Sequence, residues 1–221
     1  MRMRRKKHGA ERIAACSEIL ITPPAANENE ETVSVDPNSY FPVSRPIHLE
    51  IGCGKGDFAV GMAEKYPDYN FIAMERVPDV ACLALEKAMS KKDTRPDNLR
   101  FLIGDARNVA EWFLPHIVDT LYLNFSDPWP KKGYAKRRLT HRGFLELYRQ
   151  ILKEGGLLRL KTDNQGLFDF SLEEFEACGL KIEWITRDLH ASEQAENNVM
   201  TEYERNFSEK GQVIYSAWVR F

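Results

Sequence analysis

From residue 46 onward, short apolar runs alternate with longer stretches in which apolar residues return every three or four positions. A short apolar run bounded by turn formers predicts a buried strand, and the longer period predicts an amphipathic helix. Strands are expected near Ile47–Ile51, Asn70–Met74, Leu99–Ile103, Thr120–Phe125, Gly156–Lys161, Lys181–Ile185 and Val213–Arg220. Helices are expected between them, over about Asp57–Lys65, Asp79–Ser90, Val109–Leu114, Thr140–Leu152 and Gly166–Ala177. Gly155-Gly156 should stop the fourth helix and Cys178-Gly179-Leu180 the fifth. Strands and helices taking turns point to βαβ units, hence an α/β fold. The expectation is one doubly wound domain over residues 46–221, with a seven-stranded, mostly parallel sheet and helices on both faces. Residues 1–45 read as an appendage, a basic arm (Arg2, Arg4, Arg5, Lys6, Lys7) and then a proline-containing linker with acids at Glu28, Glu30, Glu31 and Asp36.

Composition narrows the class. With 43% hydrophobic and 29% charged residues in 221, the chain is of ordinary globular make-up. Its net charge of −2 means that any nucleic-acid binding must come from local clusters. Cys16, Cys53, Cys82 and Cys178 form no C-x-x-C pair, so reduced thiols in a cytoplasmic protein are expected, without a disulfide framework. Glu11 and Glu18 interrupt what would be the apolar centre of an export signal, and no run is long enough to span a bilayer. The five histidines have no metal-ligand spacing, so no metal is expected.

Candidate chemistry collects where strands end, as it does in open α/β sheets. Glu50-Ile51-Gly52-Cys53-Gly54-Lys55-Gly56 closes the first strand and opens a helix. The dinucleotide fingerprint would need a glycine at position 57, which is Asp57. E-x-G-x-G-x-G suits S-adenosylmethionine better, because its sulfonium and ammonium groups favour nearby acids such as Glu50 and Asp57. Glu75 ends the second strand, about twenty residues beyond the last glycine, where a carboxylate can accept both ribose hydroxyls. Asp105 ends the third, where it can accept from an adenine amino group while Ala106 leaves room for the ring. The blander readings are that Glu75 pairs with Arg76 or Lys87, and that Asp105 caps the next helix. Three acids on successive strand ends beside a glycine loop favour the cofactor site.

The fourth strand leads into Asn124–Arg138, NFSDPWPKKGYAKRR. Pro128 and Pro130 flank Trp129, so the indole and the Asp127 carboxylate have few conformations, and the indole offers a stacking platform. Lys131, Lys132, Lys136, Arg137, Arg138 and Arg142 follow with no acid among them, which suits a polyphosphate backbone. A solvated basic loop is the bland alternative.

Taken together, the motifs EIGCGKG, NFSDPWPKK, KRRLT, KTDNQGLF and MTEYE resemble the tRNA (guanine-N7-)-methyltransferases of bacteria, and the resemblance covers nearly the whole chain. It implies a Rossmann-like class I S-adenosylmethionine-dependent methyltransferase acting on N7 of guanosine 46 in the tRNA variable loop, releasing S-adenosylhomocysteine. By that resemblance Glu50, Glu75, Asp105 and Asp127 line the cofactor pocket, with Asp127 also catalytic. Lys131, Asp163, Thr201, Tyr203 and Glu204 match substrate-binding positions, and Lys132, Gly133, Tyr134, Lys136, Arg137 and Arg138 match the RNA-contacting segment. Gly133-Tyr134 stands where the family commonly has another basic residue and a histidine. The implied partner is tRNA, with monomer and homodimer both open.

N7 of guanine has a lone pair in the ring plane and no proton, so its attack on the methyl group needs no general base. Guanine's N1–H and amino group are donors that Asp163, Glu204 or Asp127 could hold. T-x-x-E at Thr201–Glu204 is also the helix capping box, and on the residues alone capping is the stronger reading. One motif could cap and still present a free carboxylate. Asp163 could likewise cap the helix that follows it. Two rivals stand. SDPW resembles the motif of exocyclic-amino methyltransferases, although Trp129 replaces its second proline. A non-catalytic RNA-binding module would keep the basic stretch but not the acids and glycines.

Overall fold

The computed structural model describes residues 7–22, 34–91 and 94–221. Arg2, Arg4, Arg5 and Lys6 of the expected arm, and Glu28, Glu30 and Glu31 of the expected linker, lie outside them. The chain forms two compact units, Met1–Leu114 and Pro115–Phe221.

The first unit contains α1 (Gly9–Ala14), β1 (Leu20–Ile21), β2 (Ile47–Ile51), α2 (Asp57–Lys65), β3 (Asn70–Glu75), α3 (Pro78–Ser90), β4 (Leu99–Ile103) and α4 (Val109–Trp112). Its strands run in the order β1-β4-β3-β2, all parallel. All five residues of β2 are buried, as expected of a parallel strand covered on both faces. The register sets Ile51 beside Met74 and Glu75 beside Ile103, so β2, β3 and β4 finish at one edge. Alanines at 81, 84 and 88 on the buried face of α3 let that helix pack closely.

The second unit contains β5 (Val118–Asn124), α5 (Arg142–Ile151), β6 (Leu152–Thr162), α6 (Gln165–Ala177), β7 (Lys181–Thr186), α7 (Glu202–Ser208) and β8 (Tyr215–Arg220). The order is β5-β6-β8-β7, with β5 and β6 parallel and β8 antiparallel to both neighbours. Asn124 lies beside Lys161, so β5 and β6 also end level.

The α/β class and the mostly parallel strands are as expected, with corrections of detail. Eight strands occur among the described residues, not seven, because β1 is a two-residue strand paired to Phe101 and Leu102. The described part of residues 1–45 is built into the first unit. Arg12 donates twice to Glu86 at 2.6 Å, fixing α1 against α3, Ile19 and Ile21 are buried, and Val35 pairs across from Phe113. Asp36 caps a short 3-10 turn over Pro37–Tyr40, accepting from the Asn38 amide at 2.8 Å. Gly155-Gly156 does not stop α5. That helix ends at Ile151 because Leu152 already pairs with Val118, and the pairing resumes at Leu157 with Thr120. Residues 153–156 therefore bulge within β6, where Gly155 takes φ +69° and a Cβ on Gly156 would lie 2.8 Å from the Lys153 carbonyl oxygen. Among the described residues, no helix is long and apolar enough to cross a membrane, and no three His, Cys, Asp or Glu side chains converge as metal ligands.

Candidate functional site

In the first unit, the loop after β2 is bent by Gly52 and Gly54, at φ +83° and +57°, in the left-handed region that glycine enters without a Cβ penalty. A Cβ built on either would meet nothing within 4 Å, so the backbone there faces open space that a ligand can approach. Gly56, at φ +79°, is needed for packing instead: its Cβ would lie 3.1 Å from the Phe101 ring and 3.2 Å from the Ala84 methyl.

Glu75 does not pair with Arg76 or Lys87. Its carboxylate accepts from the Gly54 amide at 3.0 Å and the Val77 amide at 2.8 Å, so the acid at the end of β3 holds the glycine loop in shape. Lys87 pairs with Asp57 instead. Glu50 is buried at the end of β2, only 4% exposed. The Cys53 thiol is pushed well up by burial and then by the negative charges of Glu50 and Glu75, so the loop lies in a negative field and the thiol is not reactive. Asp105 does cap the turn that follows, accepting from the Arg107 amide at 3.0 Å, and its two oxygens also take the Arg107 Nε and Nη2 at 3.0 and 2.8 Å. Those side-chain hydrogen bonds outweigh burial and hold its carboxyl below the usual range. Ala106 is buried. The sequence did not single out Trp112, whose ring fills the space over Gly104, 2.1 Å from where a Cβ would be. This indole beside Asp105 requires the glycine before it. Open glycine backbone and the strand-end carboxylates Glu50, Glu75 and Asp105 fit a cationic, ribose-bearing cofactor.

In the second unit, β5 ends in strained backbone. Phe125 and Trp129 stand at φ +52° and +41°, unusual for bulky side chains and a mark of functional turns. The Phe125 amide donates to the Lys161 carbonyl at 2.8 Å, Ser126 Oγ is buried without a hydrogen-bond partner, and Asp127 is exposed. Trp129 is not an empty platform. The Arg137 guanidinium lies 5.0 Å from its ring and 4.5 Å from that of Tyr134, and the two rings meet edge-on at 6.0 Å. Tyr134, 41% exposed, is the freer aromatic.

The basic run divides in two. Lys131, Lys132, Lys136 and Arg137 are exposed, the last three of them in a 3-10 turn over Lys132–Arg137 that Lys131 precedes. Arg138 turns inward to the carbonyls of Pro128 and Trp129, and Arg142 pairs with Glu174 at 2.8 Å.

Asp163, just past β6, neighbours Tyr203, and burial followed by that carboxylate raises the Tyr203 phenol above its ordinary value. Asn164, not Asp163, caps α6, accepting from the Leu167 amide at 2.8 Å. The Tyr203 ring meets Phe125 at 5.1 Å and Phe207 at 4.3 Å, and remains 45% exposed. The ends of β5 and β6 and the start of α7 thus come together.

Thr201 and Glu204 form the capping box in full, Thr201 Oγ1 accepting from the Glu204 amide at 2.9 Å. The free carboxylate expected of Glu204 is not there. The side chain is fully buried, accepting from Lys161 Nζ at 2.8 Å, His190 Nε2 at 2.8 Å and Asn198 Nδ2 at 2.5 Å. Burial pushes its pKa up, but Lys161 and the three hydrogen bonds outweigh that, leaving it below the usual value. His190, whose Nδ1 meets Ser208 Oγ at 2.6 Å, and Asn198 lie in stretches without periodicity, and no local signal marked them. A lysine in the buried strand β6 was the available hint, since it needs an anion.

Comparison with known proteins gives the chain's family and its fold relatives. Residues 44–217 match the family described as "Putative methyltransferase". A tRNA (guanine-N(7)-)-methyltransferase of Limosilactobacillus reuteri is 44% identical over 221 residues, covering all of both chains. One from Brevibacillus brevis is 50% identical over 175 residues, covering 79% of this chain and 80% of its own. Among solved structures, an antibiotic-related methyltransferase superposes with a TM-score of 0.63, covering 86% of this chain and 98% of its own. At 16% identity that last likeness is one of fold.

Proposed function

The chain belongs to the tRNA (guanine-N(7)-)-methyltransferases, and on that premise we propose that it methylates N7 of guanosine 46 in the variable loop of tRNA in the cytoplasm. The observation that carries the reading is the Glu75 carboxylate bonded to the Gly54 amide at the common end of β2, β3 and β4. It keeps open backbone and negative charge together, the combination a sulfonium cofactor needs.

S-adenosylmethionine, when bound, supplies an electrophilic methyl group and leaves as S-adenosylhomocysteine. Glu50, Gly52, Gly54, Glu75, Asp105 and Ala106 would hold it, with Glu75 toward the ribose and Asp105 toward the adenine amino group, and Gly56 would support them by packing the loop against Phe101 and Ala84. Asp127 acts by charge, not as a base. Positive charge moves onto the guanine imidazole as N7 gains the methyl group, and a fixed carboxylate beside the base favours that change. Asp163 and Asp127 take the N1–H and amino donors of guanine, which orients N7 and leaves adenine mismatched. Lys131 faces the guanosine, Thr201 and Tyr203 line its other side, and Glu204 contributes by fixing the start of α7. Lys132, Lys136 and Arg137 meet the RNA backbone, with Gly133 and Tyr134 between them.

Labelled S-adenosylmethionine incubated with unmodified tRNA tests this. The expected product is N7-methylguanosine, with borohydride and aniline cutting the chain at position 46. A methyl group on an exocyclic nitrogen gives no cut and would overturn the reading. Absence of any cofactor heat in titration calorimetry would favour the non-catalytic module.

A further inference from the structure

We propose that Arg138 is a positioning residue for the turn that carries Asp127 and Lys131, and not one of the contacts to the RNA backbone. The inference rests on the placing of Asp127 and Lys131 at the reaction given under Proposed function.

The turn after β5 is short of internal support. Pro128 and Pro130 have no amide hydrogen to donate. Phe125 and Trp129 both hold left-handed backbone, at φ +52° and +41°, which neither side chain favours. Left to itself, such a segment relaxes. Arg138 Nε donates to the Pro128 carbonyl at 3.0 Å and Nη2 to the Trp129 carbonyl at 3.0 Å, so one rigid fork fixes two successive peptide groups. The guanidinium also lies 4.2 Å from the centre of the Phe170 ring on α6, half-buried against it. Arg138 thereby ties the turn after β5 to the helix that follows Asp163.

Its neighbour makes the contrast. Arg137 is exposed over Trp129 and Tyr134, free to meet a phosphate, whereas Arg138 has two of its donors and one face committed inside the protein. Adjacent arginines in one basic run thus do different work, which sequence alone does not show.

Arg138→Lys separates the roles because it keeps the charge and loses the fork. A phosphate contact tolerates that change, and a clamp does not. In the full-length enzyme, Arg138→Lys is expected to lower kcat tenfold or more. Its KM for tRNA should stay within twofold of wild type, and the slope of log Kd against log salt should change by less than about 0.3, well short of one lost phosphate contact. Lys136→Ala with Arg137→Ala should instead flatten the salt slope by about 1.5–2 and weaken tRNA binding. Wild-type kcat in Arg138→Lys overturns the proposal. So does an Arg138→Ala protein whose salt slope falls by about one while kcat is retained. If Arg138→Lys loses its cooperative melt, Phe170→Leu decides, with a threefold or larger fall in kcat expected and wild-type kcat overturning it. Asp127→Asn keeps the two readings apart. Full kcat in Asp127→Asn with a loss in Arg138→Lys removes the role of Asp127 and leaves the clamp, and the reverse pattern removes the clamp alone.

Discussion

Two segments follow strand ends and bend through left-handed backbone, and they do it in opposite ways. After β2 the residues in that region are Gly52, Gly54 and Gly56, at φ +83°, +57° and +79°. After β5 they are Phe125 and Trp129. Glycine accepts this backbone at no steric penalty, while a bulky residue there costs roughly 1–3 kcal/mol. The first loop is shaped by its own residues and needs one carboxylate, Glu75, to finish it. The second is shaped by its surroundings: Lys161 through its carbonyl, Arg138 through two carbonyls and Phe170 beneath the guanidinium. The charges follow the same division. Asp105 sits at the surface among arginines, whereas Glu204 is sealed inside with Lys161, His190 and Asn198. A ligand can be met by a preformed loop in one unit, and in the other it meets a turn and a helix start that buried charge keeps in place.

The contrast is broken most severely at Glu204. Glu204→Ala leaves Lys161, 8% exposed, without its anion, and the expected loss at pH 7 is about 3–5 kcal/mol by urea or thermal unfolding. The carboxyl is held below its ordinary value of 4.5, so its contribution is complete above pH 4.5 and disappears as the pH falls through the lower folded value. The stability gap between wild type and Glu204→Gln should therefore narrow below about pH 4.5. A gap that stays constant down to acid unfolding would mean that the carboxylate charge is not what holds α7.

In the glycine loop a gentler change distinguishes strain from packing. Gly56→Ala meets both, with the ring of Phe101 3.1 Å away and φ +79°, and should lose about 1–3 kcal/mol of stability. Gly54→Ala meets strain alone, because nothing lies within 4 Å, and should lose about 1–2 kcal/mol. Yet Gly54→Ala should weaken S-adenosylmethionine binding more than Gly56→Ala does, since its new methyl group points into open ligand space. The opposite ranking in calorimetry would make the loop a packing element first.

How much could be read in advance follows from the same division. The βαβ pattern, the glycine loop and the strand-end acids of the first unit were legible because each is a local property of residue type and spacing. The basic run was legible as charge and not as geometry: Arg137 and Arg138 look alike in the chain, and only the strain at Trp129 and the position of Phe170 turn one inward. Gly155-Gly156 misled because a glycine pair reads as a helix stop, whereas the pairing of Leu152 with Val118 had already ended the helix. At Thr201–Glu204 the capping box was read correctly, but the fate of the carboxylate depends on Lys161, which lies 43 residues back in the chain.

The smallest effect is expected at Asp105, where the comparison is finest. If the acids of the first unit await a ligand, the ion pair with Arg107 is a placeholder that must loosen when an adenine amino group arrives. Arg107 donates to both oxygens of Asp105, so it competes for the lone pairs the amino group would use. Its side chain is mostly exposed, which limits what the pair contributes. Arg107→Ala should then leave S-adenosylmethionine affinity unchanged or tighten it by up to about threefold, a shift of roughly 0.6 kcal/mol. Stability should hardly move, because the Arg107 amide still donates to the carboxylate at 3.0 Å in its capping role. A tenfold loss of affinity would instead show that Arg107 orients Asp105 for the cofactor. The first unit would then depend on a clamping arginine as the second does.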